Sequence, residues 1–188
     1  MEKSNSLFLI VQMLSGNETI YTHGRRVAQF ACAIAQKMNY ADADIKHIHF
    51  AAIFHDIGKI QIPQEILNKQ GTLNDKELVI MRKHSELGYY LLKNIRPESI
   101  AAEVAFQHHE RLDGSGYPFG LRTQDINPVT RIISVADVVD TIVSPQVYRP
   151  ALTFDDALQE IRQNSGLLYD SEVVAISISL IEKGKFIV

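Results

Sequence analysis

One cysteine, Cys32, stands in the 188 residues, so no intramolecular disulfide can staple the fold and a reducing compartment suits the chain. Its place inside the apolar run 27–34 is that of a small core side chain. There is no excess of positive charge. With 19 Lys and Arg against 22 Asp and Glu, the formal charge is -3 and the pI near 6.2. That excludes the extended basic field that duplex phosphates need, so an anionic ligand has to be held locally. Long hydrophobic runs are also missing. The apolar stretch 7–14 is far shorter than the about 20 residues of a bilayer span, and mixed charges precede it, so neither a membrane anchor nor a signal peptide is expected and the chain reads as cytoplasmic. Strand-type alternation is nearly absent, and no repeat or low-complexity tract appears.

What is present is the pattern of helices. At 46% hydrophobic and 22% charged residues, 1–188 reads as a single globular domain with one core, all-helical in class. A short helix is expected over 5–15, ending at Gly16. A longer one, from about Glu18 to Met38, carries Ile20, Val27, Phe30, Ile34 and Met38 at helical spacing, with His23 close to the same face. Asp42 and Asp44 signal a third helix through His55, with Gly58 as its terminator. Pro63 suits a short helix, Asn74 caps one over 76–81, and another runs from near His84 to Asn94. Pro97 is expected to open the helix that ends at His108 and His109. Pro128 starts a strongly apolar one through Asp140. Thr153 with Asp156 forms a capping box, Gly166 ends that helix, and Asp170 opens the last, so the closing helices occupy about 153–184. Between them, residues 112–120 carry Gly114, Gly116, Pro118 and Gly120 around Tyr117, the one long turn-rich loop.

Chemistry-bearing residues recur along this frame. His55 and Asp56 are adjacent, and neighbouring helical side chains point about 100° apart, so the pair serves one centre only at a helix end or where the carboxylate bridges two ions. His108-His109 obeys the same geometry. His23 and His84 are spaced to join them, and Asp137, in an apolar run, would cost several kcal/mol to bury unless paired or coordinated. Imidazoles with carboxylates and no thiolate suit iron, manganese or zinc rather than calcium. Asp140, one turn beyond Asp137, is placed to orient a ligand imidazole. His47 and His49 lack matching partners and read as ordinary packing or surface residues.

Joined together, His55-Asp56-Ile57-Gly58-Lys59 and His108-His109-Glu110-Arg111-Leu112-Asp113-Gly114-Ser115-Gly116-Tyr117-Pro118 resemble the HD-GYP family, a subgroup of HD-domain phosphohydrolases. The likeness runs from about Glu18 to Leu180 and takes in 23–27, 83–88, 131–137 and 148–149, with an HD core over about 18–144. It implies an all-helical HD-domain bundle with additional C-terminal helices and a metal-dependent phosphodiesterase of bacterial second-messenger signalling, converting cyclic di-GMP to pGpG and GMP. It makes His23, His55, Asp56, His84, His108, His109 and Asp137 the metal ligands, Asp56 the bridge, and Glu110 and Asp140 supports behind them. Lys59 would approach the scissile phosphate, and Gly116, Tyr117, Pro118 and Arg149 would contact substrate. Two divalent ions are expected, iron or manganese first and zinc after them. The tyrosine loop is reported in the family as a surface for GGDEF-domain partners. One departure stands out: Gln146 occupies a position where the family often has arginine, which points to hydrolysis of 3′,3′-cyclic GMP-AMP as an alternative. A weakly active dinucleotide-sensing or GGDEF-docking module is the alternative from another class.

Overall fold

The computed structural model describes residue 12 and residues 16–145 and 151–184, and among these it is helical with no strand, only the isolated bridges Asp113–Arg122 and Ser165–Tyr169. The helix expected over 5–15, and Gln146, Tyr148 and Arg149, lie outside the described residues.

Helix α1 spans Glu18–Lys37 and α2 spans Asp42–Phe54, with acidic residues in the first turn of each, where the helix dipole favours them. A 3₁₀ turn, Ile57–Gln61, follows α2. Next come α3 at Gln64–Leu67, α4 at Asp75–Arg82 and α5 at His84–Ile95. A capping box between Asn74 and Glu77 starts α4 as expected. Helix α6 covers only Ala101–Gln107. Pro97 does not open it: the Ala101 amide donates to the Ser99 hydroxyl, and 97–100 turn before the helix begins. Helix α7 is Pro128–Val143, with Asn127 capping and Pro128 at its first position. The pair α8, Phe154–Gln163, and α9, Ser171–Glu182, closes the chain, capped by Thr153 with Asp156 and by Asp170.

The core lies where α1, α2, α6 and α7 meet. Phe30 and Ile34 of α1, Ile48 of α2 and Ile132 and Ile133 of α7 are fully buried, each such side chain contributing about 1.5–3 kcal/mol by leaving water. Alanines 51, 52, 101 and 105 fill the crossings and let backbones come close. Two glycines set the tightest approaches. A Cβ on Gly24 would stand 2.5 Å from the Ile53 carbonyl oxygen, and one on Gly58 would stand 2.0 Å from that of His84. Gly58 is therefore no helix terminator: α2 has already ended at Phe54, and Gly58 is where the 3₁₀ turn presses against the start of α5, opposite Gly88. The first approach brings His23 to His55, and the second brings His84 to Asp56.

Candidate metal centre

Five elements each deliver part of the site. His23 comes from the middle of α1, His55 and Asp56 from the end of α2, and His84 from the first position of α5. His108 and His109 follow the end of α6, and Asp137 lies within α7. All seven expected ligands are brought together. His55, His84 and His108 are at most 1% exposed, Asp56 2% and Asp137 6%, while His23 and His109 are partly buried.

Asp56 sits at the middle, and its two oxygens face different neighbours. Oδ2 lies 3.4 Å from His55 Nε2 and 3.6 Å from His23 Nε2, whereas Oδ1 lies 3.4 Å from His84 Nε2 and 3.6 Å from His108 Nε2. Asp137 Oδ1 joins the first half, 3.0 Å from His23 Nε2 and 3.7 Å from His55 Nε2. His109 joins the second, its ring centroid 5.0 Å from that of His84. Asp56, His84, His108 and His109 thus offer one group of donor atoms within 4.8 Å of one another, and His23, His55 and Asp56 offer a second. Only Asp56 belongs to both.

The imidazoles are turned so that Nε2 faces inward. His55 Nδ1 lies 2.7 Å from the Ala52 carbonyl oxygen, His84 Nδ1 2.7 Å from that of Met81, His108 Nδ1 2.9 Å from that of Ala105, and His23 Nδ1 2.7 Å from Asp140 Oδ2. An acceptor at Nδ1 fixes a proton there, so that in the neutral ring a metal requires, the Nε2 lone pair points at the centre. Two such nitrogens, of His84 and His108, face each other at 3.3 Å. His55 Nε2 and Asp56 Oδ1 are buried without a hydrogen-bond partner. Buried polar atoms left without partners are costly in a protein interior, and a divalent cation between them relieves that cost. The donor set therefore fits divalent ions.

Charge differs between the halves. Burial would raise the Asp56 and Asp137 carboxyls, yet the Lys59 ammonium beside Asp56 and the imidazoles of His23 and His55 hold both well below the usual range. Burial would lower His55, but the carboxylates of Asp56 and Asp137 outweigh it and push it up to about 10, and Asp137 with Asp140 raises His23 against its own burial. In the second half burial wins: His84 falls to about 3, and His108 and His109 fall too.

Lys59 stands in the 3₁₀ turn with Nζ 2.5 Å from Asp56 Oδ2. Asp140 accepts from His23 and is gripped by Arg26, Nε at 2.6 Å and Nη2 at 2.9 Å. Arg26 carried no assigned role in the sequence; its signal was the one-turn spacing from His23, which puts both on one face of α1. Glu110 acts elsewhere than expected. Its oxygens accept the backbone N–H groups of Phe119 and Leu121, at 2.8 and 3.0 Å, so it fixes the loop rather than an imidazole. Gly116 packs where a Cβ would stand 2.4 Å from the Glu110 Cα, and Pro118 follows Tyr117 through a cis bond. Tyr117 stacks on His109 with centroids 4.7 Å apart, and burial, together with the Asp56 and Asp137 charges, raises its phenol so that it stays protonated. His47 and His49 are exposed and belong to neither donor group.

An HD domain family model matches residues 9–173, and the chain belongs to that family, with the HD-GYP pattern in it. It is 39% identical over 175 residues to a cyclic di-GMP phosphodiesterase of Thermotoga maritima, covering 91% of this chain and 48% of that one. With a 3′3′-cGAMP-specific phosphodiesterase of Vibrio cholerae it shares 36% identity over 153 residues, 81% of this chain and 33% of that one. The chain thus spans half or less of the length of these curated relatives. An HDG"Y"P protein from Bdellovibrio bacteriovorus has the same fold, with a TM-score of 0.72 at 20% identity over 87% of this chain and 52% of that one. Among the described residues no helix is long and apolar enough to cross a membrane.

Proposed function

We propose that this chain is a metal-dependent phosphodiesterase that hydrolyses cyclic di-GMP to pGpG and GMP in bacterial second-messenger signalling, acting in the cytoplasm. The observation that carries the proposal is the single carboxylate, Asp56, shared between two groups of inward-facing donors. In this reading His23, His55, Asp56 and Asp137 hold one divalent ion and Asp56, His84, His108 and His109 the other, iron or manganese being preferred by the N/O donor set and zinc acceptable. When bound, the ions supply Lewis acidity and an acidified water to the phosphodiester.

The chain's own residues do the rest. Hydrolysis forms a bond from a water oxygen to phosphorus and breaks the bond to the 3′ oxygen, which leaves with a proton, so no protein nucleophile is needed. Lys59 holds a positive charge beside Asp56, where negative charge builds on the phosphate oxygens. Asp140 and Arg26 hold His23 in one tautomer. Tyr117, fixed by Glu110 through the loop and kept protonated, offers a phenol as a donor at the wall of the site, with Gly116 and Pro118 shaping the lip. Arg149 is a further substrate contact in this proposal, on the sequence alone. Phe119, 71% exposed at the loop, suits contact with a partner such as a GGDEF domain.

Cyclic GMP-AMP is the second reading, supported by the relative that is named for it and by Gln146. The test is to load the protein with Mn²⁺ or Fe²⁺, incubate it with each dinucleotide and resolve the products by chromatography. Cyclic di-GMP should yield pGpG and GMP. No product from either substrate would sink the enzyme reading and leave a sensing or docking module.

A further inference from the structure

Arg82 is the last residue of α4, two positions before His84, and it is exposed. The Lys and Arg side chains that form ion pairs among the described residues are Arg26, Lys59, Lys69, Arg131 and Arg162, so Arg82 is not among them. Its one described contact is aromatic: the guanidinium carbon lies 4.9 Å from the centroid of the Tyr117 ring. Tyr117 in turn stacks on His109 at 4.7 Å with an interplanar angle of 26°, and its ring stands edge-on to His84 at 6.5 Å. Guanidinium, phenol ring and imidazole therefore form a chain of contacts from the protein surface to the second half of the candidate metal centre. The guanidinium lies within about 10 Å of the His109 ring.

Stacking on an aromatic face is the mode in which arginine loses little hydrogen-bonding capacity, because the plane is held while the N–H edge stays outward. An edge without a carboxylate is available to an anion, and its fork matches two phosphate oxygens. Overall the chain is acidic, so such a cation near the centre has to act locally. A cyclic dinucleotide carries two phosphodiesters in one ring. While one is at the ions, the other is held a nucleotide's width away.

We propose that Arg82, stacked on Tyr117, binds the non-scissile phosphodiester of the cyclic dinucleotide and so selects substrates with two phosphates over simple diesters. This rests on the phosphodiesterase reading above. Its consequence is a separation of roles: Lys59 serves the phosphate that reacts, and Arg82 serves the one that does not.

The test compares wild type, Arg82→Ala and Arg82→Lys in the Mn²⁺-loaded full chain. Turnover is followed with cyclic di-GMP and with bis(p-nitrophenyl) phosphate, which has a single phosphodiester, and cyclic di-GMP affinity is also measured by equilibrium titration. For Arg82→Ala the KM and Kd for cyclic di-GMP should rise about tenfold or more, with kcat within about twofold and metal content unchanged. Hydrolysis of bis(p-nitrophenyl) phosphate should not change. Arg82→Lys keeps the charge and should recover part of the affinity. An unaltered KM and Kd, or an equal loss with both substrates, would overturn the role of Arg82 while leaving the phosphodiesterase reading intact. No recovery in Arg82→Lys would place the contact on a guanine edge and overturn the phosphate assignment. If wild type binds cyclic di-GMP without cleaving it, the enzyme reading fails and the Kd shift alone decides Arg82. If it neither binds nor cleaves, both fall.

Discussion

The two halves of the centre are built by different means. In the first, His55 is held by the Ala52 carbonyl, but His23 is held by Asp140, which Arg26 grips in turn, and Asp137 faces both His23 and His55, so one imidazole's orientation and the charge around both come from side chains on α1 and α7. In the second, His84 and His108 are held by backbone carbonyls three residues before them, and among the described residues the carboxylate paired with them is Asp56. The pKa directions follow: His23 and His55 rise, whereas His84, His108 and His109 fall. In the first half the carboxylates favour protonated imidazoles, with which an ion has to compete. The second presents neutral imidazoles placed by backbone packing.

Removing Asp56 should do the most damage, because it is the only residue common to both halves. Asp56→Ala is expected to strip metal from each and to lower turnover by roughly 10²–10³-fold or more, with helicity by circular dichroism largely kept. Full activity with two ions by elemental analysis would refute the bridging role. Gly58→Ala tests the second half through its backbone. The added methyl meets the His84 carbonyl, so the 3₁₀ turn and α5 must part, at a cost of about 1–3 kcal/mol in urea denaturation. Ion affinity should drop with it, and a variant as stable as wild type would show that the approach is loose.

Arg26→Met tests the first half alone. It leaves buried Asp140 without its guanidinium, for a loss of about 1–3 kcal/mol, and ion titration should show one weakened site and one unchanged. Equal weakening of both would mean that the halves are coupled more tightly than their contacts indicate.

The smallest effect is in pH. His55 near 10 must shed its proton on ion uptake, so first-half affinity should rise as pH goes from about 6 to 9. His84, near 3, is already neutral there and adds no slope. In the metal-free protein the same shifts act on stability. Imidazoles depressed in the folded state contribute stability that is lost as pH falls below their unfolded value of 6.5, so the acid limb reports the second half. Raised imidazoles contribute stability that is complete below 6.5 and lost as pH climbs toward their folded values, so the alkaline limb reports the first. Thermal melts in chelator from pH 5 to 9 check both limbs. A flat profile would remove the distinction.

Most of the site was legible because its residues are chemically conspicuous. Imidazoles on apolar faces and a carboxylate in the run 132–139 are anomalies that a core does not tolerate without partners. Caps at Asn74, Thr153 and Asp170 were equally local, each depending on residues within three positions. Less legible were the supports. Glu110 looked like a partner for histidine, yet its oxygens meet the amides of 119 and 121, a choice made by the loop's path. Gly58 looked like punctuation, and only the approach of α5 reveals it as a contact. Pro97 pointed to a helix start four residues too early.

By itself the sequence determined the helical class, the caps and the set of candidate ligands, because side-chain type and short-range spacing act over one or two turns. Tertiary structure alone decided that Asp56 turns one oxygen to each half, that Arg26 reaches Asp140 across 114 positions, and that Arg82 rests on Tyr117. Those relations depend on where whole helices cross, and crossing positions are set by packing volumes and close backbone approaches that no local pattern encodes.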